Sequence, residues 1–278
     1  MIAEPVIRVS NLSIGWDDVV LQKNASFDVA RGDVFAILGV SGCGKSTLMR
    51  YLVGLETPMH GTVVVATASG HEKSHTSPDG APPADPSGRA PMRHLHATSE
   101  SQHLEVGRPP FGVVFQSGAL FTSMTVGENV GLPLHTWTDL EPEAVGAIVS
   151  AKLSLVGLRG VEDKLPSELS GGMTKRAAIA RAMALEPSLL FLDEPSAGLD
   201  PVTAVELDEL ILVLNRALGL TVVVVTHELA SIFKIVSRCI MLDRESQSII
   251  AAGSPADLRD SCSDPRVQRF FQRTAKVH

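Results

Sequence analysis

Eight residues, Gly39-Val40-Ser41-Gly42-Cys43-Gly44-Lys45-Ser46, meet the G-x-x-x-x-G-K-[ST] spacing at every fixed position. The chemistry this spacing suits is the holding of a polyphosphate. Glycines let backbone N–H groups turn inward around phosphate oxygens, and a following helix adds partial positive charge at its N-terminus. Lys45 is expected to reach the β- and γ-phosphates of ATP, and Ser46 to offer its hydroxyl to Mg2+. Gly39, Ser41, Gly42, Cys43, Gly44 and Thr47 complete the expected ATP-binding set. Cys43 has two readings: a small filler beneath bound nucleotide, or a redox-sensing thiol, since a helix N-terminus lowers thiol pKa. The filler reading is preferred.

Two further stretches extend this chemistry. Leu189-Leu190-Phe191-Leu192-Asp193-Glu194 is four apolar residues followed by two acids. A buried strand delivers its last residues to the carboxyl edge of an open α/β sheet, where ligands bind. Asp193 is then expected beside the Mg2+ held by Ser46, and Glu194 to accept a proton from an attacking water. Leu169-Ser170-Gly171-Gly172-Met173 precedes an Ala-rich helical run, Thr174–Leu185, that carries Lys175, Arg176 and Arg181. Ser170 suits an N-cap, and two glycines before a helix expose N–H groups to an anion. One ATP already has its cradle at Gly39–Ser46, so the second cradle makes sense if it closes over a nucleotide held by another copy.

The elements that must position these groups can be read from apolar patterning. Val34–Leu38, Thr62–Val65, Gly112–Phe115, Leu189–Leu192, Leu220–Val225 and Cys239–Leu242 are apolar at nearly every position, as in strands buried on both faces. Helical patterns separate several of them. Thr47–Leu55 follows the phosphate loop. Pro201–Leu218 carries Val202, Val205, Ile211, Leu214 and Leu218 on one stripe, with Gly219 as a stop. Such alternation implies a mostly parallel α/β sheet. Ile7–Asp28 reads as short alternating strands, and Arg244–Gln247 as the polar turn of a late hairpin between Ile240–Leu242 and Ile249–Ala252.

Composition narrows the partners. The chain has 278 residues, with Lys plus Arg 24 against Asp plus Glu 31, a net charge of −7. That acidity disfavours broad binding to a nucleic-acid backbone. No apolar run approaches the ~18 residues that cross a bilayer, and the first residues lack the basic and apolar regions of a secretory signal. Three scattered cysteines suit a reducing compartment. Residues 66–110 are rich in Ser, Pro, Gly and His and poor in branched aliphatics, so about 69–102 is expected to be a mobile surface insertion. His71, His75, His94, His96 and His103 match no defined metal spacing, and a solvated loop is the preferred reading.

From about Ile7 to Phe271 the chain resembles an ABC-transporter ATPase subunit. The most specific element is Leu169–Met173, lying between the phosphate loop and the Asp193–Glu194 strand. The resemblance implies an α/β fold: an ABC-type P-loop ATPase with a mostly parallel core sheet, an N-terminal antiparallel β subdomain and a helical subdomain. It implies a single nucleotide-binding domain over 1–278, with the helical subdomain at about 117–185 and a C-terminal tail at about 254–278. It implies that Ser170, Gly171, Gly172 and Asp200 contact ATP held by the opposing subunit. Gln116, in Val113-Val114-Phe115-Gln116, matches a Q-loop glutamine that senses Mg2+ and nucleotide. Ser196-Ala197-Gly198-Leu199-Asp200 resembles a D-loop, and His227 matches a switch histidine that reaches the γ-phosphate. Trp16 is the candidate for stacking on adenine.

Finer wording points to one branch. Met173 stands where most relatives carry glutamine. Phe115–Val126, Thr226–Phe233 and Asp264–Phe271 resemble the ATPases of Mla-type systems, which move phospholipid with MCE-domain proteins. The long 66–110 insertion departs from that pattern. The implied partners are a second copy, an integral membrane permease and an MCE-type lipid-binding protein, and the implied location is the cytoplasmic face of the inner membrane. The nearest rival is an importer ATPase for another small solute. A soluble ABC ATPase would be expected to carry a long coiled-coil insertion or two cassettes. A P-loop kinase or GTPase would lack Leu169–Met173 and His227. A module without turnover would be expected to lose Glu194 or His227.

Overall fold

The computed structural model describes residues 5–16, 19–66, 72–76 and 111–272. Strands β1 (Pro5–Trp16) and β2 (Val19–Ala30) form the expected antiparallel hairpin, with Ile7 opposite Val29 and Val9 opposite Phe27. β3 (Val34–Gly39) is buried at every residue and leads through the phosphate loop into α1 (Lys45–Leu52). β4 (His60–Ala66) then returns to the free edge of β1, antiparallel, with Val63 opposite Val9. Its burial alternates, so Thr62–Val65 is not the two-face-buried parallel strand its composition suggests; its second face lacks a covering layer. β5 (Glu72–Thr76) pairs antiparallel along β4 from Thr62 to Ala66. The solvated-loop expectation for about 69–102 is therefore corrected over these five residues, where β4's open edge supplies a pairing partner. The rest of that expectation, with His71, His94, His96 and His103, lies outside the described residues.

β6 (Phe111–Val114) opens the second half. α2 (Val126–Trp137), α3 (Pro142–Leu155), a short 3-10 turn at Pro166–Glu168 and α4 (Gly171–Ala182) follow. Then come β7 (Leu189–Asp193), α5 (Pro201–Leu218), β8 (Thr221–Val225), α6 (Leu229–Ile235), β9 (Arg238–Asp243), β10 (Ser248–Gly253), α7 (Pro255–Ser261) and α8 (Pro265–Phe271). The six-stranded sheet runs β10-β9-β3-β8-β7-β6, parallel except for the β9–β10 hairpin. Sheet one runs β2-β1-β4-β5.

Why the central strands are apolar throughout is visible in how their residues divide. Val34, Ala36, Leu38, Leu190, Leu192, Val222 and Val224 face one core, packed with α2 to α5. Phe35, Ile37, Leu189, Phe191, Val223 and Val225 face a second core, packed with β1, β4 and α1. Alternate residues point to opposite faces of a strand, so a strand between two cores has no polar side. α5 keeps its expected bounds because Asp200 caps its first N–H groups and Gly219 ends it at φ 63°. Its expected stripe is only half right. Ile211 and Leu214 are buried with Leu207 and Leu210, whereas Val202, Val205 and Leu218 are exposed.

Candidate nucleotide site

Gly39 ends β3 at φ 145°, and a Cβ there would lie 2.5 Å from the Leu242 carbonyl oxygen and 2.6 Å from Cys43 Sγ. Only glycine fits. Gly44 caps α1 at φ 97°, so N–H groups at the head of the helix face the loop. Lys45 curls back over that loop, its ammonium donating to the carbonyls of Gly39 (3.0 Å) and Val40 (3.2 Å). Ser41 and Gly42 are exposed at the rim, and Thr47 is half-buried. Cys43 is buried, and that burial pushes its thiol pKa up despite nearby Lys45. A buried, protonated thiol fits the filler reading over the sensor.

The two acids stand where β7 ends. Ser46 Oγ donates to Asp193 Oδ1 at 2.9 Å, joining the phosphate loop to that strand. Burial raises the Asp193 pKa, opposed by the Ser46 hydrogen bond. Glu194 adopts φ 46°, uncommon for a residue with a side chain, and its N–H donates to the Val225 carbonyl at 2.8 Å. This bend aims its carboxylate at β8's end, where Oε1 lies 2.8 Å from His227 Nδ1. Oε2 is buried without a hydrogen-bond partner among the described residues. His227 Nε2 lies 3.5 Å from Glu228 Oε1. Gln116 follows β6 with an exposed side chain, and its backbone carbonyl accepts from the Lys175 ammonium.

The second helix start is arranged differently. Ser170 is exposed and its hydroxyl accepts from Met173 N–H at 3.3 Å, capping α4 as expected. Gly172 is buried, and a Cβ there would meet Thr203 Cγ2 at 2.4 Å. Asp200 caps α5 through the N–H groups of Val202 and Thr203, both at 3.1 Å, and accepts the Thr203 hydroxyl. Among the described residues, no hydrogen bond joins 170–172 or Asp200 to the phosphate loop. Trp16 lies at the tip of β1, 50% exposed.

Sequence reasoning missed two contributors. Gln22, fully buried in β2, donates its amide to the carbonyls of Cys43 (2.9 Å) and Asp243 (3.0 Å), pinning the phosphate loop from the first sheet. Lys175 is the other. A buried Gln in a half-exposed hairpin carries no spacing signal. The donor set suits Mg2+: the Ser46 hydroxyl and the Asp193 carboxylate, already paired, are hard oxygen ligands. Among the described residues, there is no group of three or more His, Cys, Asp or Glu able to hold a metal ion.

A glycine-rich loop between a buried strand and helix, with acids delivered by a nearby parallel strand, defines a P-loop nucleoside triphosphatase. Residues 22–197 match the ABC transporter family, and the chain belongs to it. It is 40% identical over 252 residues to the intermembrane phospholipid transport system ATP-binding protein MlaF of Escherichia coli K12, covering 91% of this chain and 83% of that protein. It is 34% identical to the probable ribonucleotide transport ATP-binding protein mkl of Mycobacterium leprae, covering 92% of this chain and 64% of that protein. A dimeric, post-hydrolysis structure of the ATP-binding cassette MJ0796 bound to ADP and Pi matches 89% of this chain and 98% of that one, at 26% identity and a TM-score of 0.68. The chain is thus an ATPase of this family, with the fold its sequence resembled. Among the described residues, no helix is long and apolar enough to cross a membrane.

Proposed function

We propose that the chain is the ATP-hydrolysing motor of a phospholipid transporter, working as a pair of copies at the cytoplasmic face of the inner membrane. Each ATP is held by the Gly39–Ser46 loop of one copy and by Ser170, Gly171, Gly172 and Asp200 of the other. Lys45 releases its two loop carbonyls and turns to the phosphates. Trp16, exposed at the hairpin tip, stacks on adenine. Ser46, Asp193 and Gln116 would hold Mg2+, which when bound would neutralise charge on the β- and γ-phosphates. Glu194 takes the proton of the attacking water, and His227 orients Glu194 and meets the γ-phosphate. Closure of the pair pulls on permease helices docked near residues 116–133; ATP supplies that energy only through its tighter binding to the closed pair. An MCE-type protein receives or delivers the lipid.

The observation that carries the catalytic reading is the Glu194–His227 pair at 2.8 Å beside an unpartnered, buried carboxylate oxygen. A poised base needs one oxygen held and the other free. Glu194→Gln keeps the shape and removes the base, so turnover should fall about 10²–10⁴-fold while ATP binding persists. Steady-state ATPase of the assembled complex measures it, and activity within a few-fold of the parent rejects the base assignment. The lipid assignment is supported by the 40% identity to a phospholipid-system subunit against 34% to a probable ribonucleotide-system one. Mass spectrometry of the purified complex should find bound phospholipid; a nucleotide in the carrier protein instead would reject it.

A further inference from the structure

Helix α4 begins at Ser170 and carries three cations whose partners differ in kind. Arg176 faces away, bonded to the Val156 carbonyl at 3.1 Å and Glu206 at 3.0 Å. Lys175 and Arg181 both serve the loop that follows β6. Lys175 donates to the Gln116 carbonyl. Arg181 donates to the carbonyls of Ala119 (2.8 Å) and Gly118 (3.2 Å) and lies 6.0 Å over the Phe121 ring. That loop bends through two consecutive left-handed residues, Gly118 at φ 76° and Ala119 at φ 48°. An alanine seldom adopts such a conformation unless its surroundings hold it. Here Arg181 holds both carbonyls, and the Phe115 carbonyl accepts the Gly118 N–H.

Lys175 is unusual among them because it is only 7% exposed. A buried ammonium needs acceptors, and a carbonyl satisfies it only in part. Burial pulls the Lys175 pKa down, opposed in part by the charges of Asp193 and Glu194. One side chain therefore joins two parts: the helix capped by Ser170 and the loop that carries Gln116.

We propose that Lys175 is a positioning residue for ATP hydrolysis, holding the Gln116 loop to α4 so that movement of the Ser170 helix start carries Gln116 with it. The inference deepens the function proposed above and rests on its assignment of Gln116 and Glu194. The two ties act together, Arg181 at Gly118 and Ala119 and Lys175 at Gln116. A chain whose Gln116 loop is freed from Lys175 would still bind nucleotide through Gly39–Ser46 but would present Gln116 in many positions.

The test compares Lys175→Met, which keeps the length and removes the charge, with Lys175→Arg, which keeps charge and donors. In the nucleotide-free full chain, hydrogen exchange of the 116–121 amides should be about tenfold faster in Lys175→Met, the scale of one lost charged hydrogen bond. Lys175→Arg should stay near the parent. Equal protection in all three chains overturns the tie. In ATPase assays Lys175→Met should lower kcat about tenfold with KM for ATP within about twofold, and Lys175→Arg should restore kcat to within about threefold. An unchanged kcat, a change confined to KM, or an arginine variant no better than methionine overturns the positioning role. Failure of the catalytic reading appears separately: parental turnover in Glu194→Gln would sink that reading and leave the exchange difference as it is.

Discussion

Gly39–Ser46 before α1 and Leu169–Met173 before α4 are both glycine-rich helix starts, yet only the first is surrounded by its own chain. Lys45 lies over its loop, Ser46 reaches Asp193, and Gln22 braces the loop from β2. At α4 the Ser170 hydroxyl is turned to its own helix, and Asp200 caps the next one. Both starts offer N–H groups to an anion, but the second has neither a lysine over it nor a strand-end acid bonded to it. A helix start that supplies the cradle without the counter-groups is suited to a phosphate that arrives with them already in place. The two starts thus differ in hydrogen-bond partners and not in the glycine pattern, which they share.

Breaking each start separately should expose this asymmetry, beginning with the largest effect. Lys45→Ala should weaken ATP binding to the isolated chain roughly 10–100-fold by deleting a charged donor. Ser170→Arg should leave that binding alone and abolish the ATP-driven dimer, read by sedimentation in a Glu194→Gln background. A mixed dimer of the two variants sharpens the comparison: one composite site carries both lesions and the other none. If nucleotide photo-crosslinks only within one chain at both positions, the shared site is wrong.

A smaller effect is expected from Gly172→Ala. The added methyl would strike Thr203 Cγ2, 2.4 Å away. Thermal or denaturant unfolding should show a loss of about 1–3 kcal/mol, the scale of overpacking. Thr203→Ser removes the offending carbon and keeps the hydroxyl on Asp200, so the double variant should recover most of it. If it does not, the clash is not the reason a glycine stands there.

The smallest effect lies away from both starts. Joining residue 76 to 103 through a short Gly/Ser bridge should leave ATP affinity unchanged, since loop closure changes by only ~0.6 kcal/mol per doubling of length. Removing 69–102 instead also deletes β5 and bares the β4 edge. Light scattering should then rise for the longer deletion alone. Loss of ATP affinity in the shorter deletion would make the segment part of the nucleotide domain.

How much of this was legible in sequence follows from the range of the interactions. The phosphate loop, the α4 cap and both ends of α5 rest on bonds between residues at most a few positions apart, so spacing reveals them. The buried faces of α5 do not. Val202 and Val205 are as apolar as Ile211, and only the sheet beneath decides which are covered. β5 is hard to see in sequence because Glu72-Lys73-Ser74-His75-Thr76 has no aliphatic residue, and its hydrogen-bonding partner is another strand's edge. Gln22 and Lys175 escaped for a similar reason. Their partners, Cys43, Asp243 and Gln116, are brought near by the fold and not by sequence.

The position of β3 also has a bearing on how the chain is born. This strand emerges early, but its two hydrogen-bonded neighbours, β8 and β9, pair Val34 with Val222 and Ala36 with Cys239. A nascent chain that has not yet delivered residue 221 holds Val34–Gly39 with both edges bare. Non-local pairing of this kind slows folding and leaves strand edges open to other chains. The N-terminal hairpin can close at once, its two strands being adjacent. The central sheet must wait until residues 221–243 have been made, which makes the stretch of translation between β3 and β9 the interval in which this protein most needs a holding chaperone.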